Sequence, residues 1–392
     1  MRSGMPKVVV SARLAFFYGG AFAVLGIYGP FWPVWLEAHG VGAAEIGILF
    51  AVATWVKVLG NPLIAHVVDR RGDRRLPMMV LAAAALSAAA LFSIADGFWP
   101  IFLVTALWGL AFAALIPLAE NLTMLKVRAH GLDYGRIRLW GSLTFIAGSV
   151  GTGRVLVGRS EDWVLWLILG VLGLTLCATL ILPDHKAEPL RHSRAPARLV
   201  LGNPLILIFF AAGGLIQASH AVYYGFSTLH WRAHGLGDDV IGWLWAEGVI
   251  VEVALFTFGA AVVRRLGPPG LLILGGLAAM VRWGITGLTT ELEVLVVVQA
   301  LHALSFGATH LGAMHFIARA VPSEISATAQ SLYVGIAMGV AFGIAMPLAG
   351  WLYGQAGGMA FQAMTAMACA GTLFALILAK RWRGTTVELA TV

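Results

Sequence analysis

Charge is scarce in this chain of 392 residues. Asp, Glu, Lys and Arg make up 11% of it, against about 25% in an ordinary soluble domain. With 59% hydrophobic residues, the sequence cannot cover itself for water, which excludes a soluble globular protein. Cysteine is also rare. Cys177 and Cys369 are the only two, both sit in apolar runs, and a disulfide framework is excluded. No His-Glu-x-x-His or similar ligand spacing occurs, so no metal site is expected and a membrane metalloenzyme finds no support. Alternation of polar and apolar residues is missing too, which argues against membrane-spanning strands.

Long continuous apolar runs are plentiful, such as residues 102–119 and 166–182. Runs of about 20 apolar residues suit a helix that crosses the hydrocarbon core. Twelve spans are predicted, at 11–36, 44–68, 76–95, 99–126, 137–158, 162–182, 203–230, 239–264, 269–288, 292–319, 324–353 and 358–379. The turns between them are short and leave no room for a soluble domain. The first run follows Arg2 and Lys7, and it is too long and too rich in Tyr, Trp and Pro for a cleaved signal peptide.

Positive charge is unevenly placed. Most of the 26 Lys and Arg residues fall in the termini and the even-numbered turns. Arg154, Arg159 and Arg232 fall on the other side, and Lys57, Arg138 and Arg282 fall inside spans. The positive-inside rule then puts both termini and the even turns in the cytoplasm. The net charge of +7 reports this topology, since a nucleic-acid partner would need a water-exposed basic face.

The sequence also repeats itself. EAHGVGAAEIG at 37–47 returns half a chain later as RAHGLGDDVIG at 232–242. Tyr28-Gly29 and Trp35 precede the first copy; Tyr224-Gly225 and Trp231 precede the second. An even number of spans separates the copies, so both have the same orientation in the membrane. A polar, Pro-containing stretch at 183–203 lies midway and reads as a linker. The expected fold is an all-α membrane protein with twelve transmembrane helices. Two parallel six-helix pseudo-repeats, residues 1–182 and 203–392, are joined by a cytoplasmic linker at 183–202 and related by an axis along the membrane normal.

The turn after span two reads Asp69-Arg70-Arg71-Gly72-Asp73-Arg74-Arg75. It resembles the Asp-Arg-x-Gly-x-Arg signature of the major facilitator superfamily. The resemblance implies a cytoplasmic gate made by Asp69, Arg70, Gly72 and Arg74. Gly72 permits a tight reversal, and the charged groups can pair and bind the carboxyl ends of neighbouring helices. The corresponding turn of the second half, Arg264-Arg265-Leu266-Gly267, lacks the aspartate and should latch more weakly.

LDYGRIRLWGS at 132–142, with Glu120 upstream of Arg138, resembles the subgroup that holds lactose permease, the nucleoside symporters and the 3-phenylpropionate transporter family. The likeness to the last is closer and runs over nearly the whole chain. It includes AVYYGFS (221–227), MVRWGITG (280–287), QALH (299–302) and THLGAM (309–314). It implies a secondary active transporter working by alternating access, with proton-coupled uptake of a small aromatic carboxylate such as 3-phenylpropionate. A sugar or nucleoside symporter and a drug or metabolite exporter are the alternatives. The implied protein is a monomer in the cytoplasmic (inner) membrane, with a small-molecule substrate, the lipid bilayer as its surroundings and no cofactor beyond the proton gradient.

Lys57, Glu120, Arg138, Glu247, Glu252 and Arg282 fall inside the predicted spans, with His220, His302, His310 and His315. One charge at the bilayer centre costs about 2.5–3.5 kcal/mol on insertion scales, so these groups should face the interior. Structural ion pairs would account for three cations and three carboxylates, but apolar residues would pack a bundle as well without the desolvation cost. The substrate-binding candidates are Arg138, Glu120, Lys57, Tyr28, Tyr223 and Tyr224. The Arg138 guanidinium is a planar fork that matches a carboxylate, and Glu120 is expected to fill that fork when the site is empty. The tyrosines are expected to wall a cavity for a ring. Arg282 and His302 resemble the pair around the proton site of lactose permease. Three residues after that His, however, the proton-carrying Glu is replaced by Ser305. The proton-coupling candidates are therefore Glu252, His302, Arg282 and Glu247, with Glu120 as a further carboxylate. Lys57 and Glu252 occupy corresponding positions in the two halves.

Overall fold

Helices dominate the computed structural model, which describes residues 6–183 and 197–387. Most of the linker expected at 183–202 lies outside the described residues; its end forms a short helix. The described residues divide into two units: residues 6–183 with 235–246, and residues 197–234 with 247–387.

The first unit contains α1 (Lys7–Ala38), α2 (Ala43–Arg71), α3 (Arg75–Leu91), α4 (Phe98–Ala113), α5 (Leu115–His130), α6 (Tyr134–Leu156) and α7 (Asp162–Ile181). Helix α1 packs on α6 and α7, α2 on α4, and α3 on α4 and α7. The α1–α6 contact has no room for side chains at its closest points. A Cβ on Gly26 would run into the Phe145 backbone, and one on Gly148 into the Ala23 carbonyl. Helix α2 ends at Gly72 with φ of 71°, a left-handed cap that glycine adopts without penalty. Helix α6 begins at Asp133, whose carboxylate accepts from Arg136 N at 3.1 Å, an ordinary N-cap.

The second unit contains α8 (Ala197–Leu201), α9 (Pro204–Ala218), α10 (Ala221–Ala233), α11 (Asp238–Phe258), α12 (Ala260–Thr286), α13 (Leu292–Ala300), α14 (Thr309–Ala320), α15 (Ser323–Leu332), α16 (Ala341–Ala356) and α17 (Ala360–Arg381). The start of α11, up to Ala246, belongs to the first unit. Its core is built on Phe209, which stacks on Phe316 at 4.4 Å and on Tyr333 at 5.0 Å. Helix α12 is interrupted at Gly267, with φ 62° and ψ 176°, just before Pro268 and Pro269. Two π-helical stretches, Ala303–Ala308 and Tyr333–Val340, join the flanking helices.

Among the described residues, ten stretches are long and apolar enough to cross a membrane. Helix α6, which combines Arg136, Arg138 and Arg154 with many Gly, Ser and Thr residues, is not among them. The last, Thr328–Arg381, holds both α16 and α17, which are separated by a tight turn at Gly357. The chain is a multi-pass membrane protein.

The repeated Ala-His-Gly has a physical reading in both places. His39 and His234 close α1 and α10. His39 Nδ1 lies 2.8 Å from Trp35 O, and His234 Nδ1 lies 2.7 Å from His230 O. Each ring thus donates to a carbonyl in the last turn of its helix; Trp35 O also accepts from His39 N at 3.1 Å. Gly40 and Gly235 then take φ of 76° and 87°, the reversal that L side chains resist.

Candidate functional site

The first unit brings Glu120 and Arg138 together at the junction of α5 and α6. Tyr134 opens α6, and Arg138 follows one turn later on the same face. Both reach Glu120 on α5. The Tyr134 hydroxyl donates to Glu120 Oε2 at 2.7 Å. Arg138 Nε stands 3.4 Å from Glu120 Oε1, longer than a good N–H···O bond. The guanidinium lies over the Phe22 ring at 3.8 Å and is 5.7 Å from the Tyr18 ring. The expected Glu120–Arg138 pair forms, with Nε as its nearest nitrogen. The carboxylate's nearest approach to the guanidinium is at Nε, and the Tyr134 hydroxyl interacts with both groups. Tyr134 takes the other oxygen, and the Phe22 face holds the guanidinium plane.

Lys57 lies on α2, exposed, with no hydrogen bond or ion pair among the described residues. Tyr28 belongs to an aromatic cluster, 4.7 Å from the Trp108 ring, 5.6 Å from Trp32 and 5.7 Å from Phe50. It is packed on three sides.

The second unit buries a longer polar chain. Arg282 on α12 is 0% exposed. Its Nη1 donates to His302 Nδ1 at 2.9 Å and to Ser305 Oγ at 3.3 Å, and its Nη2 donates to Gln299 Oε1. The Tyr223 ring covers it at 4.2 Å and the Trp283 ring at 4.6 Å. Tyr223, a candidate cavity wall by sequence, is thus a stacking partner of Arg282. Tyr224 stacks on His220 at 5.8 Å.

The partners assign the ring tautomers. Arg282 has only donors, so His302 Nδ1 accepts and Nε2 carries the hydrogen. That Nε2 faces Glu252 Oε2 at 3.7 Å. His220 Nδ1 lies 3.2 Å from both Ile216 O and Gln217 O, so it donates there. His220 Nε2 then accepts from Ser305 Oγ at 3.2 Å, which leaves Ser305 to accept from Arg282. The chain runs Glu252, His302, Arg282, Ser305, His220, with both ring tautomers assigned, while Arg282 Nε is buried without an acceptor among the described residues. Ser305 lies in the π-helical stretch Ala303–Ala308, and such stretches recur at functional sites. Glu247 is half-buried on α11 and interacts electrostatically with Arg282, without a hydrogen bond or ion pair among the described residues.

The turn after α2 is ordered by Arg74, which is 3% exposed. Its Nη2 donates to Asp69 Oδ1 at 2.7 Å, its Nη1 to Val68 O at 3.1 Å, and its Nε to Asn121 Oδ1 at 3.0 Å. The same side chain binds the carboxyl end of α2 and ties it to α5. Arg75 donates to Leu180 O, and Arg13 to Ile181 O at 3.0 Å, both at the end of α7. Arg70 is exposed with no partner among the described residues. Arg264 and Arg265 of the second unit are likewise exposed and unpartnered among the described residues.

Sequence reasoning missed Tyr134, Phe22, Gln299 and Asn121. The spacing of Tyr134 to Arg138, one helical turn, was the available signal for the first. Nothing local marks the other three, because each is defined by a neighbour on a different helix.

Comparison with known proteins places this geometry in a family. The model of the MFS_1 like family matches residues 11–363. A protein of Escherichia coli (strain K12) named probable 3-phenylpropionic acid transporter is 36% identical over 374 residues, covering 92% of this chain and 96% of that protein. The maltose permease of Geobacillus stearothermophilus is 26% identical over 386 residues, covering 94% and 92%. The crystal structure of the nucleoside transporter NupG superposes with a TM-score of 0.80 at 15% identity, covering 95% of this chain and all of that one; at that identity it supports the fold. The chain therefore belongs to the MFS_1 like family of major facilitator transporters, multi-pass proteins of the cytoplasmic (inner) membrane and not enzymes.

Proposed function

We propose that this protein takes up a small aromatic carboxylate, of the 3-phenylpropionate type, together with a proton. The observation that carries the reading is the way Arg138 is held. Its plane rests on Phe22, and Glu120 makes its nearest approach at Nε, away from the end that carries the two terminal nitrogens. That end of a guanidinium binds a carboxylate through two parallel hydrogen bonds. Lys57, without a hydrogen bond or ion pair among the described residues, adds a second cation to the same unit. The name of the 36% identical relative, a 3-phenylpropionic acid transporter, supports the substrate class.

The proton belongs on Glu252. His302 cannot take one at Nδ1 while Arg282 points a donor at it, and His220 takes one at Nε2 only if Ser305 turns its hydroxyl away. The carboxylate of Glu252 faces the N–H of His302 and can take a proton without displacing the Arg282 bond. Two six-helix repeats with cytoplasmic termini alternate in access around the site, the Asp69–Arg74 turn latches the cytoplasmic face, and the carrier works as a monomer with no cofactor beyond the proton gradient.

Binding titrations of 3-phenylpropionate and its amide to purified protein test the substrate. The acid should bind at least about tenfold more tightly, the worth of one hydrogen bond to a charged group. Equal binding of the two would sink the assignment. Tight binding of a disaccharide instead would favour the sugar reading, which the similarity to a maltose permease supports.

A further inference from the structure

We infer that Tyr134 is a selectivity residue: its hydroxyl holds Glu120 away from the Arg138 fork and so keeps the fork open to an anion. This rests on the role given to Arg138 above.

Glu120 has two candidate partners on one face of α6. Of the two contacts, the hydroxyl bond of 2.7 Å is a true charge-assisted hydrogen bond in length, and the guanidinium contact of 3.4 Å is not. A free carboxylate beside an arginine would normally turn to take two parallel N–H bonds, the most favourable geometry open to the pair. Here it does not. With Oε2 tied to Tyr134, the carboxylate's nearest approach to the guanidinium is Oε1 to Nε. The guanidinium cannot turn to meet it without leaving the Phe22 face at 3.8 Å. Each half of the arrangement therefore blocks the collapse of the pair into a closed salt bridge. A closed pair would be self-sufficient, and an incoming carboxylate would have to displace Glu120. In the observed arrangement the terminal nitrogens are available without that step.

Removal of the hydroxyl leaves Glu120 with Arg138 as its charged donor, beside the neutral hydroxyl of Tyr18, which also interacts with it. Tyr134→Phe should close the fork while retaining the ring. Glu120→Gln removes the competing charge, so in that background the hydroxyl should no longer matter. A residue that merely supported the fold would not show this dependence.

Arginine modification by phenylglyoxal, which joins the two terminal nitrogens, reads the state of the fork with no substrate present. The rate at Arg138 is followed by peptide mass spectrometry on the purified full chain. Tyr134→Phe should slow it by about tenfold, the order of one charged hydrogen bond. Glu120→Gln and the double variant should both react at least as fast as wild type. Binding of 3-phenylpropionate should follow the same pattern, and binding of the amide should not change. A wild-type modification rate in Tyr134→Phe would overturn the inference. So would an equal slowing in the Glu120→Gln background, which would mean that Tyr134 acts on Arg138 or the fold by itself. If the modification pattern holds but wild type does not prefer the acid, the Tyr134 restraint stands and the substrate assignment falls.

Discussion

Arg282 donates from Nη1 to His302 Nδ1 at 2.9 Å, and that bond decides where His302 carries its own hydrogen. The imidazole is turned with its N–H toward Glu252 Oε2, 3.7 Å away. Loss of a proton from Glu252 creates an anion facing that N–H, and the distance can shorten to a charge-assisted bond. Protonation relaxes it. A single carboxylate thus changes the pull on a chain of side chains that reaches α10 through Ser305 and His220.

Glu252→Gln should therefore abolish uphill accumulation of substrate while equilibrium exchange continues, because the amide mimics the protonated acid. Counterflow and gradient-driven uptake in proteoliposomes separate the two. Undiminished accumulation would move the proton to another group, with Glu247 next.

Arg282→Lys retains the charge but loses the simultaneous hold on Gln299, His302 and Ser305. The site is fully buried, so the variant should be destabilised by about 3 kcal/mol, the usual cost of spoiling a buried hydrogen-bonded charge. Thermal melting in detergent reads this. A melting temperature within a degree of wild type would contradict the network drawn here.

Asp69→Asn leaves the buried Arg74 short of its charged partner. Transport should fall severalfold while substrate affinity stays within about twofold, since the change biases conformations without touching the site. Arg70→Gln, at an exposed neighbouring position, should transport at the wild-type rate. Equal effects of the two would mean that net charge in the turn matters and the specific Asp69–Arg74 bond does not.

His39→Ala should cost about 1 kcal/mol, comparable to the loss of a helix cap, through its bond to Trp35 O and its stacking on the Trp35 ring at 3.8 Å. Asp162→Asn should cost under ~0.5 kcal/mol, because the His39–Asp162 contact of 3.4 Å is largely exposed. Uptake should survive both. Thermal melts of the two variants side by side check the order.

Much of the helical layout was legible because long apolar runs leave few other readings. The breaks within it were not. Ser219 and His220 separate α9 from α10. Ser219 accepts from Trp283 at 3.0 Å while His220 meets Ser305, so the break answers to residues far along the chain. The charged residues were easy to find, because a charge inside an apolar run stands out. Their partners were harder. Tyr223 looked like a ring on a cavity wall, and only the register of α10 against α12 reveals that it faces Arg282. Glu120 and Arg138 were expected to meet, and they do. The way they meet depends on a hydroxyl and a phenyl ring whose identities carry no charge signal.

The tight seam between α1 and α6 bears on how this carrier moves. Gly26 and Gly148 act as notches that seat one backbone in the other, so the two helices cannot slide along each other without a steric climb at every step. Phe22 on α1 and Arg138 on α6 sit on opposite sides of that seam. They should travel as a fixed pair, like teeth on one gear, whatever the remaining helices do. Spin labels at the exposed positions Phe16 and Leu139, 42% and 43% accessible, would then report one unbroadened distance with and without substrate, and the anchor for an incoming anion would keep its shape through the whole cycle.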